Sequence, residues 1–274
     1  MDRGMRVLKE MGKQNILNEI ADRTRERVEE EKISLPLAEV QAQAMAHRGE
    51  FTFPFEKALS KEGMSFICEV KRASPSKGLI AADFPYVEIG KEYEQAGADA
   101  ISVLTEPYYF RGSDMYLSDI RKAVSVPLLR KDFTVDEYML YKAKCIGADA
   151  VLLICAILSR AQLTEYIHIS QELGLSALVE VHDEREVEMA LAAGARIVGV
   201  NNRNLRDFTV DISNSLRLRK LVPENVLFLS ESGMKTREDI ARLEENGTDA
   251  VLIGETLMRA ENKAEMLHRL RYDG

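Results

Sequence analysis

From about residue 63 onward, short apolar runs alternate with amphipathic stretches that carry helical periodicity. The runs are FICEVK, AISVL, VPLLRK, AVLLI, SALVEV, IVGVN, NVLFLSE and AVLIG. They are continuously apolar instead of alternating, which is the pattern of a strand buried on both faces, and the intervening stretches read as crossover helices. Strands are predicted near 65–71, 99–105, 126–131, 149–155, 176–181, 196–201, 226–231 and 249–254.

A phrase recurs through this region: AGADAISVL at Gly97, IGADAVLLI at Gly147, AGARIVGVN at Gly194 and NGTDAVLIG at Gly247. In each copy a helical pattern ends at glycine, where a left-handed cap is cheap, and a β-branched strand follows at once. Each phrase is thus an αβ junction, and between successive junctions there is room for one further strand and helix. Eight such units predict an α/β fold of the closed (β/α)8 barrel type. An open doubly wound sheet is the competing architecture, but SPSKG follows the first strand where a dinucleotide loop would stand.

Residues 1–62 read as a helical extension packed on the barrel, and 63–274 as a single barrel domain. Ile16, Leu17 and Ile20 share one helical face, and Pro36 allows a second helix to start. The expectation is that these helices cover the barrel floor or rim; the sharper alternative is that part of them lines the mouth.

Several strands end in a charged or amide side chain: Glu69 and Lys71, Lys131, Glu180, Asn201 and Glu231. One such residue could be a solvated loop charge. Burying an unpaired charge costs several kcal/mol, so a fold gains no stability by repeating the placement. Barrel enzymes gather their reacting groups at the carboxyl ends of different strands, so the set reads as an active site for proton transfer. Glu69 and Lys71, two apart on a strand, share a face. His182 also follows a strand, but Asp183 reads as the cap of the next helix and His182 as a structural turn residue. SESG (230–233) and IGET (253–256) expose backbone amides after the last two strands, a place where such barrels bind phosphate.

Composition narrows the class. The chain has 274 residues, 46% hydrophobic and 30% charged, with a net charge of -8, which opposes binding to nucleic acid or an anionic membrane. The amino terminus has no apolar stretch suited to a signal peptide, and the longest apolar run, Ala150 to Leu158, is too short to span a bilayer. Cys68, Cys145 and Cys155 lack metal-ligand spacing and sit in apolar stretches, so no metal site is expected and a reducing cytoplasm is the natural compartment. No heptad or apolar stripe stands out, which leaves a monomer as the default.

FICEVKRASPSKGLI closely resembles the first-strand signature of the indole-3-glycerol phosphate synthase family of tryptophan biosynthesis. LLRKDF, LVEVHDE, VGVNNRNL, LSESG and VLIGETLMR resemble the family's other strand ends, in the same order, from about Ile16 to the carboxyl terminus. The resemblance implies conversion of 1-(2-carboxyphenylamino)-1-deoxyribulose 5-phosphate to indole-3-glycerol phosphate, with loss of carbon dioxide and water and no metal or organic cofactor. It implies Lys131 as general acid and Glu180 as base, Glu69 and Asn201 orienting them, and Lys71 near the substrate's anionic groups with a possible share in proton transfer. Ser74 matches the SPS loop, Arg203 a position suited to the substrate carboxylate, and Glu231 the strand-seven carboxylate. Ser232, Gly233 and Gly254 match phosphate contacts, with Glu255 contributing through its backbone amide. Phe110 and Phe133 are candidate walls for the aromatic ring. Two alternatives stay open: another phosphate-binding barrel, such as phosphoribosylanthranilate isomerase, and a barrel without catalysis.

Overall fold

The recurring phrase wires the barrel together. In the computed structural model, which describes residues 16–47, 52–204 and 208–272, Gly97, Gly147, Gly194 and Gly247 follow helix ends with φ of 88°, 87°, 88° and 77°. A side chain there would be strained. Two residues after three of these glycines an aspartate reaches sideways. The carboxylates of Asp99, Asp149 and Asp249 accept the backbone N–H of Phe66, Leu128 and Phe228 at 2.8, 2.8 and 2.7 Å, fixing where the neighbouring strand begins. In the remaining copy Arg196 stands in that place and donates instead to Glu56 at 2.7 Å.

Eight parallel strands close the barrel: β1 (Ser65–Val70), β2 (Ala100–Leu104), β3 (Leu128–Lys131), β4 (Ala150–Ile154), β5 (Ser176–Val181), β6 (Ile197–Asn201), β7 (Leu227–Glu231) and β8 (Ala250–Ile253). β1 pairs with both β2 and β8, so no edge is left open. β3 starts two residues later than predicted because Pro127 has no N–H for the ladder. β8 stops at Ile253 because Gly254 leaves the sheet to open the short helix Glu255–Met258. After β1 a small antiparallel ladder, Ala73–Ser74 with Gly78–Leu79, shapes the SPS loop.

Strand alternation sorts the side chains into two cores. Ile67, Leu129, Leu152, Leu178, Ile197 and Leu229 fill the inside of the barrel, while Phe66, Leu128, Val151, Val179, Val198 and Phe228 pack outward against the helices.

The extension supplies three helices, Ile16–Ser34, Leu37–Ala46 and Pro54–Leu59. Phe55 and Leu59 of the third join the inner core, and its Ala58 carbonyl accepts from the Ser65 hydroxyl at the start of β1, so this helix closes the floor. Leu17 and Ile20 of the first helix join the same inner core beside Phe133 and Ile154 at the other end. Residues 1–15 of the predicted extension, and Leu205 at the end of VGVNNRNL, lie outside the described residues. Among the described residues no helix is long and apolar enough to cross a membrane.

The first helix is held on the outer wall by a buried ionic cluster. Arg27 donates to both oxygens of Asp132 at 2.9 and 3.0 Å, and Asp132, 1% exposed, also accepts from Thr105 Oγ1 at 2.9 Å and from the Phe133 backbone at 2.8 Å. Arg130 reaches Asp114 at 2.9 Å, and Lys142 bridges Asp114 and Glu31 at 2.8 and 2.7 Å. Removing one member of such a buried pair strands the other, which typically costs about 3–5 kcal/mol. Arg27→Ala is therefore expected to lower unfolding stability by roughly 3 kcal/mol, the low end because Thr105 and Arg130 remain. Urea denaturation measures this; a loss below about 1 kcal/mol would mean that the pair contributes nothing beyond a surface bridge.

Candidate active site

Strand parity and register bring the strand-end groups to one place. Glu69 continues the inward positions of β1, and Lys71 stands two residues on. Register sets Asn201 beside Glu231, Glu180 beside Gly199 and Leu104 beside Lys131. The result is a cavity of about 920 Å³ at the carboxyl ends of the strands. Glu69, Lys71, Lys131, Glu180, Asn201, Ser74, Arg203, Glu231, Phe110, Phe133, Ser232, Gly233, Gly254 and Glu255 all line it. The sequence-predicted residues are thus collected without exception.

At its centre the Lys131 ammonium lies 2.6 Å from Glu231 Oε2 and 3.3 Å from Glu180 Oε2. Burial works against the ammonium, but the charges of Glu231, Glu180 and Glu69 outweigh it and hold Lys131 well above the ordinary lysine range. The two carboxylates diverge. Burial raises both, yet Glu180 ends below its usual value because Lys131, His182 and a hydrogen bond from Asn201 favour its charged form. Glu231 ends above its usual value: burial and repulsion from Glu180 exceed the help it gets from Lys131. Its Oε1 is buried and has no donor. Lys71 pairs with Glu69 across the cavity wall. Asn201 accepts from the Arg203 backbone N–H at 3.0 Å, which steers its amide group toward Glu180.

Two glycines make room for these groups. A Cβ on Gly199 would fall 2.4 Å from Glu231 Oε1, and one on Gly254 would fall 2.3 Å from Glu69 Oε1 and 2.8 Å from Lys71 Nζ. Beside them, Ser232 and Gly233 both have positive φ, 68° and 101°, so the backbone turns sharply where it borders the cavity. The Glu255 carboxylate is occupied by cations: Arg259 at 3.2 Å, Lys77 at 3.4 Å and Arg203 at 4.0 Å. The Arg203 guanidinium also donates to the Phe208 carbonyl at 3.3 Å. Phe110 and Phe133 stand with ring centroids 6.1 Å apart, and with Leu17 and Ile20 they form an apolar wall.

Sequence reasoning passed over Lys77 and the proximity of His182 to Glu180, and left the place of the first helix open between floor, rim and mouth. Lys77, directly after the SPS loop, lines the cavity, and its place in SPSKG was the available signal. Leu17 and Ile20 are cavity wall as well as packing, so the sharper reading of the extension holds for the first helix and the floor reading for the third. His182 lies 3.5 Å from Glu180; the two-residue spacing that paired Glu69 with Lys71 also predicts this proximity. Among the described residues no group of His, Cys, Asp or Glu is arranged to hold a metal ion, and Cys68 and Cys155 are buried thiols.

A closed (β/α)8 barrel whose carboxyl-end cavity carries interleaved ammonium and carboxylate groups defines the class: barrels built for acid–base chemistry on an anionic small molecule. The family model for indole-3-glycerol phosphate synthase matches residues 17–270. The chain belongs to that family. The indole-3-glycerol phosphate synthase of Ruminiclostridium cellulolyticum is 56% identical over 256 residues, 93% of this chain and 98% of that protein. The enzyme of that name from Endomicrobium trichonymphae is 54% identical over 93% of this chain and 99% of its own length. Among solved structures, 3-hexulose-6-phosphate synthase from Salmonella typhimurium matches with a TM-score of 0.63 at 15% identity, over 76% of this chain and 97% of that one, a likeness of fold.

The space above Gly199 yields a test of the packing around Glu231. Gly199→Ala places a methyl against both Glu231 and Leu178 Cδ1, 2.9 Å away. Overpacking of this kind costs about 1–3 kcal/mol. Thermal and urea unfolding should register that loss; unchanged stability would mean that the Glu231 carboxyl moves aside freely.

Proposed function

We propose that this chain catalyses its family's reaction, closing 1-(2-carboxyphenylamino)-1-deoxyribulose 5-phosphate to indole-3-glycerol phosphate with release of carbon dioxide and water. The single observation that supports this most is the Lys131 ammonium, buried at the cavity centre and kept charged by Glu231 and Glu180. Ring closure needs a proton delivered to a ketone oxygen as the aromatic carbon attacks it, and a positioned ammonium does this. Lys131 is that acid. Glu180, charged and oriented by Asn201, removes the proton whose loss accompanies departure of the hydroxyl. Glu69 fixes Lys71, which faces the substrate's anionic groups.

The phosphate sits against Ser232, Gly233 and Gly254, with the Glu255 amide nearby. Here the backbone turns through two positive-φ residues and passes a glycine, all of them lining the cavity, and amide N–H groups at such a place suit a phosphate. Arg203 steers the substrate carboxylate, and Ser74 in the loop after β1 borders the mouth. Phe110 and Phe133 flank the aromatic ring. The enzyme works as a carboxy-lyase on a phosphorylated small molecule, as a monomer in the cytoplasm.

Indole fluorescence on mixing the protein with the substrate tests the reaction; its absence would reject the proposal. Lys131→Ala is expected to lower kcat by at least about a hundredfold, within the usual range for loss of one general acid, while the protein remains folded. Glu180→Gln should depress kcat with little change in KM. A rise in KM alone would make Glu180 a binding group instead.

A further inference from the structure

His182 is joined to the proposed base by geometry that the helix start does not need. Helix Glu184–Ala192 is capped by Asp183, whose carboxylate accepts the Glu186 N–H at 3.0 Å, and Glu186 Oε2 accepts the His182 backbone N–H at 2.7 Å. The imidazole is surplus to that cap. Its Nδ1 lies 3.2 Å from Glu186 Oε2, and its Nε2, shut off from water and without a well-aligned hydrogen bond, faces Glu180 Oε1 at 3.5 Å. The other Glu180 oxygen faces Lys131. A continuous line therefore runs Glu186, His182, Glu180, Lys131. The outer two side chains are about one-fifth exposed, Glu180 is 3% exposed, and His182 is not among the cavity-lining residues. Its contact with solvent lies outside the substrate cavity.

The proposed reaction needs such a line. With the substrate's carboxylate ionised, loss of carbon dioxide and water consumes one proton per turnover. One proton goes to the ketone oxygen and a second to the departing hydroxyl, while only one comes back, from the carbon next to nitrogen. A substrate filling the cavity blocks delivery from the mouth. We propose that His182 and Glu186 form a proton inlet that recharges Lys131 through Glu180. The step is the breaking of the His182 Nε2–H bond as a Glu180 Oε1–H bond forms. A half-turn of the carboxyl then carries that proton to the Lys131 amine, and the neutral ring, which still holds its Nδ1 proton, swings outward past Glu186, takes a solvent proton on the bare Nε2 and returns. Nothing is oxidised or reduced, and every group returns to its starting state.

The surroundings favour a charged ring. Glu180 on β5, Glu186 at the following helix and Glu231 on β7 all present negative charge to it. Lys131 on β3 holds the other Glu180 oxygen, and the Cys155 thiol is directed at the Glu186 carbonyl. From the helix Ser213–Leu218, Asn214 donates to the His182 carbonyl at 3.1 Å. A neutral ring donating from Nδ1 would set its Nε2 lone pair against a carboxylate, which is repulsive. Burial opposes the imidazolium, but the hydrogen bond to Glu186 and the charge of Glu180 exceed it, so the ring stays protonated above the ordinary histidine range.

This inference rests on the proposed reaction, and the experiment separates the two. Indole formation is followed from pH 6 to 9 for wild type, His182→Gln, His182→Ala and Glu186→Gln, with unfolding curves for each. The expected result is a roughly tenfold lower kcat in His182→Gln with KM within about twofold, at the lower edge of general acid–base effects. The sign of the pH dependence follows from the donor role. Wild-type kcat falls as pH rises through the raised histidine value, and His182→Gln loses that fall. Imidazole added to folded His182→Ala should restore turnover in proportion to its concentration, and Glu186→Gln should show a weaker form of the His182→Gln effect. A kcat of His182→Gln within twofold of wild type with an unchanged pH profile overturns the inlet alone. If His182→Gln fails to fold, a normal pH profile in folded Glu186→Gln overturns it. A folded wild type that makes no indole overturns the reaction, and the inlet with it.

Discussion

The interaction on which the rest depends is a lysine ammonium kept charged inside a barrel. Its two carboxylate neighbours sit at 2.6 and 3.3 Å. An isolated buried ion of this kind would cost several kcal/mol or give up its charge. Lys131 keeps its charge because carboxylates from β5 and β7 arrive on either side, and its ammonium in turn favours their charged forms. Counting the inner groups, Lys71 and Lys131 give +2 and Glu69, Glu180 and Glu231 give −3, leaving −1. A protonated His182 beside Glu180 brings the count to neutrality. The imbalance also explains why two similar glutamates behave differently: the one with a second cation nearby is stabilised as an anion, and the one whose outer oxygen has no donor is not.

Such an arrangement needs space as much as charge. Parallel strands at fixed spacing would normally fill a barrel mouth with side chains from every inward position. Here an inward position of β6 and the position just past the end of β8 are held by glycine, and in both cases the space freed is taken by a carboxylate from a neighbouring strand. Gly199 sits beneath Glu231, and Gly254 beneath the Glu69–Lys71 pair. These glycines matter for what they leave out, not for backbone freedom, since neither has positive φ.

That distinction marks what was legible in the sequence. Eight strands and their order could be read because continuous apolar runs and helix-ending glycines are local signals. Convergence of Glu69, Lys131, Glu180, Asn201 and Glu231 followed once those runs were strands, because side-chain parity and barrel closure leave little choice. The late start of β3 at Pro127 could have been read too, from its missing N–H. Other features were beyond reach. The role of Asp99, Asp149 and Asp249 as anchors for neighbouring strands depends on register between segments 21 to 33 residues apart. The clamp of Arg27 on Asp132 spans 105 residues, and no local pattern announces it. His182 was set aside because its helix-start neighbour explained the motif, although parity placed it beside Glu180 all along.

The segment Arg130–Lys131–Asp132 shows how closely stability and chemistry are interleaved. Lys131 points inward to the carboxylates. Arg130 points outward, 3% exposed, donating to the Met139 carbonyl at 2.8 Å and reaching Asp114. Asp132 turns back outward to hold Arg27 and Thr105. Three consecutive charges would be an unstable strand end if they shared one face; alternation gives each its own partners. The same alternation fastens the first helix to the residue that follows Lys131, and that helix carries Leu17 and Ile20 into the cavity wall. The extension and the ammonium are therefore set by one strand end. The wall that shapes the apolar side of the site cannot shift without pulling on the backbone that aims its proton donor.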